Sequence, residues 1–138
     1  MDAEHAIADL MEVSSQVETA VLVGPSGGVE GSSLPAEKAE RLAEAARRLL
    51  EAAASAGSRE LTQLEAATRD GSVFVASDGG WTVAATTGPA ATVGLVFYDL
   101  RTCLRSLAAE EAGPAAPKAK GRRGKQAPPE AGDGDAAA

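Results

Sequence analysis

With 138 residues, 44% of them hydrophobic and only 3% aromatic, the chain is long enough for one domain, and its core must be assembled from Ala, Val and Leu. A formal charge of -7 argues against nucleic acid or an anionic membrane as the main partner of the folded part. The single cysteine, Cys103, can form no intramolecular disulfide, no apolar run reaches the ~20 residues of a membrane span, and Met1-Asp2-Ala3-Glu4 is acidic where a secretory signal would be basic, so a cytoplasmic protein is expected.

Residues 3 to about 14 place Ala3, Ala6, Ile7, Leu10 and Met11 on one face of a helix, with acids toward its N-terminus, where the helix dipole favours them. Val17 to Val23 (VETAVLV) then reads as a strand whose second half is buried on both sides. A glycine-rich stretch, Gly24 to Ser32, leads into a short segment around Val29 to Ser33. It occupies the place of a phosphate-binding loop, but a Walker loop needs a lysine directly after its last glycine, and here the first lysine is Lys38, inside the next helix. A dinucleotide fingerprint needs a helix starting at the glycines, and a further segment intervenes. A hairpin turn is the better reading.

Pro35 opens the clearest periodic segment of the chain. Ala39, Leu42, Ala43, Ala46, Leu49, Leu50 and Ala53 recur at three- and four-residue steps, and Glu37, Glu40, Arg41, Glu44, Arg47, Arg48 and Glu51 fill the other face. Glu37–Arg41 and Glu44–Arg48 are i,i+4 pairs in the favoured order. Gly57 is positioned to cap the helix. Three strands are predicted next, at Glu60 to Thr68, Ser72 to Ser77 and Trp81 to Thr86, separated by the turn signals Asp70-Gly71 and Asp78-Gly79-Gly80. The first of them sets Gln63 and Glu65 opposite Thr62, Leu64 and Ala66, a pattern suited to a sheet edge.

Gly88-Pro89 breaks the chain before a last helix with Val93, Val96, Phe97, Leu100, Cys103, Leu104 and Leu107 on its apolar face. From Gly113 on, Ala, Pro, Gly and charge dominate without periodicity, so residues 1–112 are expected to form the domain and residues 113–138 a disordered tail. The tail holds the basic cluster KAKGRRGK, Lys118 to Lys125, followed by acids; a solubilising role is favoured, and membrane contact through it is not expected.

No catalytic constellation emerges. One histidine and one cysteine cannot make a metal site, His5 is expected to face solvent, and Cys103 falls on an apolar stripe as a small core residue. No enzyme activity, no cofactor and no metal are expected. The long helix is unusual in a different way: its stripe has a/d-like spacing and many alanines, and an edge-like strand follows it, a combination suited to a two-fold dimer surface.

The order helix, two strands, long helix, three strands, helix resembles the Roadblock/dynein light chain family, and in particular its bacterial members that regulate Ras-like GTPases. The resemblance covers residues 3 to about 110. It lies in VETAVLVGPSGGVEGSSLP leading into AEKAERLAEAARRLLEAAASAG, in RELTQLEAATRDGSVFVASDGGWTVAATT, and in ATVGLVFYDLRTCLRSL, where Gly94-Leu95-Val96 matches the family's last helix start. It implies an α+β fold: a five-stranded antiparallel sheet with the long helix on one face and the two terminal helices on the other. It further implies a dimer, with an identical or a paralogous subunit, whose seam would use Leu42, Ala46, Leu49, Leu50 and Ala53, with Leu61, Gln63 and Glu65 on the pairing strand. Arg41, Glu44, Arg48 and Glu51 become candidate contacts to a small Ras-like GTPase. The implied function is a noncatalytic regulator or scaffold acting on that GTPase's nucleotide cycle; a structural adaptor without effect on GTP hydrolysis is the alternative.

Overall fold

The computed structural model describes residues 2–57 and 62–112. The chain divides into two units, Met1–Ala108 and Ala109–Ala138, and the fold below is that of the first. The expected disordered tail, its basic cluster, and the proposed seam residue Leu61 lie outside the described residues.

Among the described residues the elements run α1 (Ala3–Val13), β1 (Val17–Val23), β2 (Val29–Ser32), α2 (Ala36–Gly57), β3 (Gln63–Thr68), β4 (Gly71–Asp78), β5 (Trp81–Thr87) and α3 (Val93–Ala112). The strands form one antiparallel sheet in the order β2-β1-β5-β4-β3. This is the α+β architecture expected, with element ends shifted by a residue or two. The largest shift is in β3, expected from Glu60: Thr62 is described and is not in the strand.

Local chemistry sets each element. Asp2 caps α1, its carboxylate accepting from the His5 amide at 2.9 Å, and that bond holds the Asp2 carboxyl below its ordinary range. Ser14 closes the same helix and accepts from the Val17 amide at 3.2 Å, tying α1 to β1. Pro35 stands just before α2, its carbonyl accepting the first helical bond from the Ala39 amide at 2.9 Å. The β4–β5 hairpin turns on Gly79 and Gly80, whose φ angles of 60° and 87° suit a type I′ turn. At the β3–β4 hairpin the turn residues are Arg69 and Asp70, not the expected Asp70-Gly71: Gly71 already pairs with Thr68 as the first residue of β4.

The core is a grid on the three inner strands. Ala20-Val21-Leu22, Phe74-Val75-Ala76 and Val83-Ala84-Ala85 are at most 1% exposed. Their register sets Val21 beside Ala84 and Ala84 beside Val75. Odd and even positions then separate. Ala20, Leu22, Phe74, Ala76, Val83 and Ala85 pack under α1 and α3, whereas Val21, Val75 and Ala84 pack under Ala39, Ala43 and Ala46 of α2. The small residues on that second face bring the long helix close to the sheet.

Candidate functional site: the long helix and the open sheet edge

The two edges of the sheet differ. β2 is four residues long and lies under the start of α1, where a Cβ on Gly31 would come within 2.6 Å of the Ala3 carbonyl oxygen. At the other end no described strand pairs with the outer side of β3, whose backbone groups form an available template. The edge expected from the sequence is therefore an edge in the fold.

α2 runs along the sheet for 22 residues, and packing sorts its apolar stripe by size. Ala39, Ala43 and Ala46 are buried, Ala46 to 1%, so Ala46 is occupied by its own sheet. Leu42 and Leu50 are half-buried against the same core, while half-buried Leu49 belongs to neither core cluster. Ala53 is half-buried near the helix end. Large side chains left half in water beside small ones fully buried are the mark of a helix with apolar surface to spare.

The outward face is charged. Arg41 pairs with Glu37 at 3.1 Å, Arg48 with Glu44 at 3.0 Å, and Arg47 also reaches Glu44. The Arg47 side chain first, and Arg48 with it, hold the Glu44 carboxyl below its ordinary range. Arg41, Glu44 and Arg48 share one shallow surface groove with Leu49 and the exposed Ala45. Glu51 is exposed but does not line that groove.

Along β3 the register places each residue by face. Gln63 pairs with Ala76 and Glu65 with Phe74, so both lie on the α1/α3 side; Leu64 pairs with Val75 and Ala66 with Val73, on the α2 side. Gln63 and Glu65 can thus offer a second chain their backbone, but the side chains sharing a face with α2 are the half-buried Leu64 and Ala66. The alternation of this strand carried that signal; only the register shows which half faces α2. Among the described residues, the buried side-chain oxygen of Gln63 has no hydrogen-bond partner.

The glycine stretch forms the β1–β2 hairpin. Gly24 N–H donates to the Gly28 carbonyl and Gly27 N–H to that of Gly24, both at 2.9 Å, with Gly27 at φ 95°. Two amides that a phosphate would need are already bonded within the loop. The cavity beside it, of about 210 Å³, is walled by Val23, Ala43, Ala46 and Leu50, and its cation Arg47 is paired with Glu44. Among the described residues no group of three or more His, Cys, Asp or Glu side chains is placed to hold a metal ion. His5 is exposed and bonded to Asp2, and Cys103 is buried, as expected. No described helix is long and apolar enough to cross a membrane.

These features define an α+β sandwich that presents a long helix together with an edge strand whose outer side is unpaired among the described residues. No protein-family model and no curated protein matches the sequence. Solved structures match the fold. A Roadblock/LC7 domain from Streptomyces avermitilis superposes with a TM-score of 0.72 at 20% identity, covering 81% of this chain and 99% of that one. Myxococcus xanthus MglB gives 0.57 at 14% identity, covering 80% and 91%. The gliding protein MglB from Thermus thermophilus gives 0.57 at 17%, covering 78% and 87%. The chain has the Roadblock/LC7 fold.

Proposed function

We propose that the protein is a noncatalytic, dimeric, cytoplasmic regulator or scaffold that binds a small Ras-like GTPase and modulates its nucleotide cycle. The observation that carries this reading is the pairing of spare apolar surface with an open edge: Leu42, Leu49 and Leu50 stay half-buried on α2, and Leu64 and Ala66 continue that face at the unpaired side of β3. A second copy, or a paralogous subunit, covers that strip and extends the sheet across the seam. The charged ridge of Arg41, Glu44 and Arg48 beside the strip is then displayed for a partner, with Glu51 farther along the helix. The sequence resemblance to bacterial regulators of Ras-like GTPases and the fold shared with MglB support a GTPase as that partner.

Regulation of this kind needs no cofactor. A docked surface changes the rate of hydrolysis by holding the GTPase's own residues in a competent or incompetent arrangement. The test is to mix the purified protein with small Ras-like GTPases loaded with GDP or a non-hydrolysable GTP analogue, measuring complex formation by calorimetry and hydrolysis in single turnovers. Binding that prefers one nucleotide state and alters hydrolysis is the expected result. Binding without a change in rate turns the reading to a structural adaptor, and no binding in either state removes the GTPase from it.

A further inference from the structure

The face of the sheet away from α2 carries exposed apolar surface of its own. Among the described residues, Val13 and Tyr98 are the most exposed large apolar side chains, at 65% and 62%. They stand on different helices, Val13 at the end of α1 and Tyr98 near the start of α3, yet both line one groove of about 260 Å³ between those helices. Two exposed apolar groups converging on one groove need more explanation than two scattered ones.

The rest of the groove sorts by polarity. Buried Ala6, Leu10 and Cys103 line it without charge. The Cys103 thiol donates to the Ala6 carbonyl at 3.7 Å, and burial, with Asp9 adding, pushes its pKa up to about 11. Thr102 and Ser106 commit their hydroxyls to their own helix, donating to the carbonyls of Tyr98 and Thr102 at 2.9 and 3.1 Å. The charged groups lining it are the carboxylates of Asp9 and Asp99, and neither has an ion pair or hydrogen-bond partner among the described residues. Arg105 donates to the Thr102 hydroxyl at 3.1 Å and lies 6.0 Å from the Tyr98 ring centre, at the rim of the groove; it lines the neighbouring cleft with Arg101, and no Lys or Arg is among the described residues lining the groove itself.

An apolar channel between two helices, bordered by two unpaired carboxylates, is complementary to an amphipathic segment with positive charge. A third helix packs into an interhelical groove at the usual spacing of about 8–10 Å. An acidic segment or an anionic lipid surface would meet Asp9 and Asp99 with like charge. We propose that the α1/α3 groove docks a short basic amphipathic helix of a partner protein, which sets an apolar side chain between Val13 and Tyr98 and a Lys or Arg beside Asp9 and Asp99. The groove lies on the opposite side of the sheet from α2, so the two surfaces can be occupied together. This docking does not depend on the GTPase reading.

The test uses the full chain, isotopically labelled for NMR, titrated with a synthetic helical peptide of about 16 residues, some four turns, carrying Leu on one face and Lys elsewhere. Its counterpart replaces every Lys with Glu, and phosphatidylglycerol vesicles form a third arm. The Lys peptide is expected to shift Val13, Tyr98 and Asp99 while leaving α2 unchanged, and to weaken as salt rises from about 50 to about 500 mM. The double substitution Asp9→Asn, Asp99→Asn should weaken binding about fivefold or more without altering the fold, since it removes both like-signed charges and no packing. Tyr98→Ser should weaken it comparably. Equal binding of the Glu peptide, shifts located on α2, or an unchanged affinity in the Asn variant would overturn the proposal. So would uptake onto the vesicles through this groove, or a drop in solution mass on Tyr98→Ser, which would assign the groove to a second copy.

Discussion

Phe74 of β4 and Phe97 of α3 meet edge to face, with ring centres 5.1 Å apart and planes at 74°. In a chain that is only 3% aromatic, this pair joins the sheet to the last helix at the centre of the larger core. Phe74 is fully buried and its cross-strand neighbour on β5 is only Ala85, so truncating it leaves a cavity beside the Phe97 ring. Phe74→Ala should cost about 3–5 kcal/mol, of which the ring pair accounts for about 0.5–1.5. Chemical denaturation of the variant checks this, and a loss below about 1 kcal/mol would mean that the core closes over the gap.

Two glycines make a contrasting pair. A Cβ on Gly71 would stand 2.2 Å from the Thr87 carbonyl oxygen, and φ there is 157°. Gly71→Ala must therefore displace backbone in two strands and should cost well over about 2 kcal/mol. Gly27, at φ 95° with nothing within 4 Å of an added Cβ, carries only the conformational penalty, so Gly27→Ala should cost about 1–2 kcal/mol. Thermal melts of the two variants should rank in that order; the reverse order contradicts the account of the hairpins.

On α2 the size sorting makes a separate prediction. Ala46→Glu puts a carboxylate against the sheet and should prevent folding. Leu49→Glu, outside both core clusters, should stay folded within about 1 kcal/mol of the parent while reducing the mass measured by light scattering to that of a monomer. An unchanged mass with an intact circular dichroism spectrum would remove Leu49 from the proposed dimer seam.

Arg48 is exposed and its partner Glu44 has a second arginine, so Arg48→Glu should leave the fold intact. At a GTPase contact it reverses a charge, and the complex should weaken about tenfold, equivalent to about 1.4 kcal/mol. Calorimetry against any small Ras-like GTPase found to bind the parent protein reads this directly. Equal affinity would remove Arg48 from the contact surface.

Cys103 links stability to pH. In the unfolded chain its thiol loses its proton near 9, while burial in the fold, with Asp9 adding, delays this to about 11. The unfolded state therefore binds fewer protons across that range, and stability present below pH 9 falls as the pH rises toward 11. The loss attributable to this group is of order 2 kcal/mol, and Cys103→Ala should lack it. Alkylation at about pH 8, below the usual thiol range, should be slow in the native protein and fast in denaturant. Rapid native labelling would show that the thiol is not held as described.

The elements differ in how much of their placement is written in the local sequence. β1 was legible to the residue, since apolar alternation and a glycine hairpin leave little choice. The edge position of β3 was also legible, because Gln63 and Glu65 could not sit inside a sheet. Its register was not: Leu64 and Ala66, not Gln63 and Glu65, share a face with α2, and that is set by pairing with β4 across a turn at Arg69-Asp70. The α1/α3 groove was invisible in one dimension, because Val13 and Tyr98 are 85 positions apart and meet only when both helices lie on one sheet face.

By itself the sequence determined the elements, their order and the absence of a phosphate-loop pattern, because periodicity, capping and turn chemistry act over a few residues. The tertiary structure alone decided which apolar residues are consumed and which remain on offer. Ala39, Ala43 and Ala46 let α2 approach the sheet and vanish beneath it, while Leu42, Leu49 and Leu50, equally apolar in the sequence, stay half in water. Hydrophobicity is a property of a side chain, but burial is a property of distance between elements, and that distance exists only in the fold.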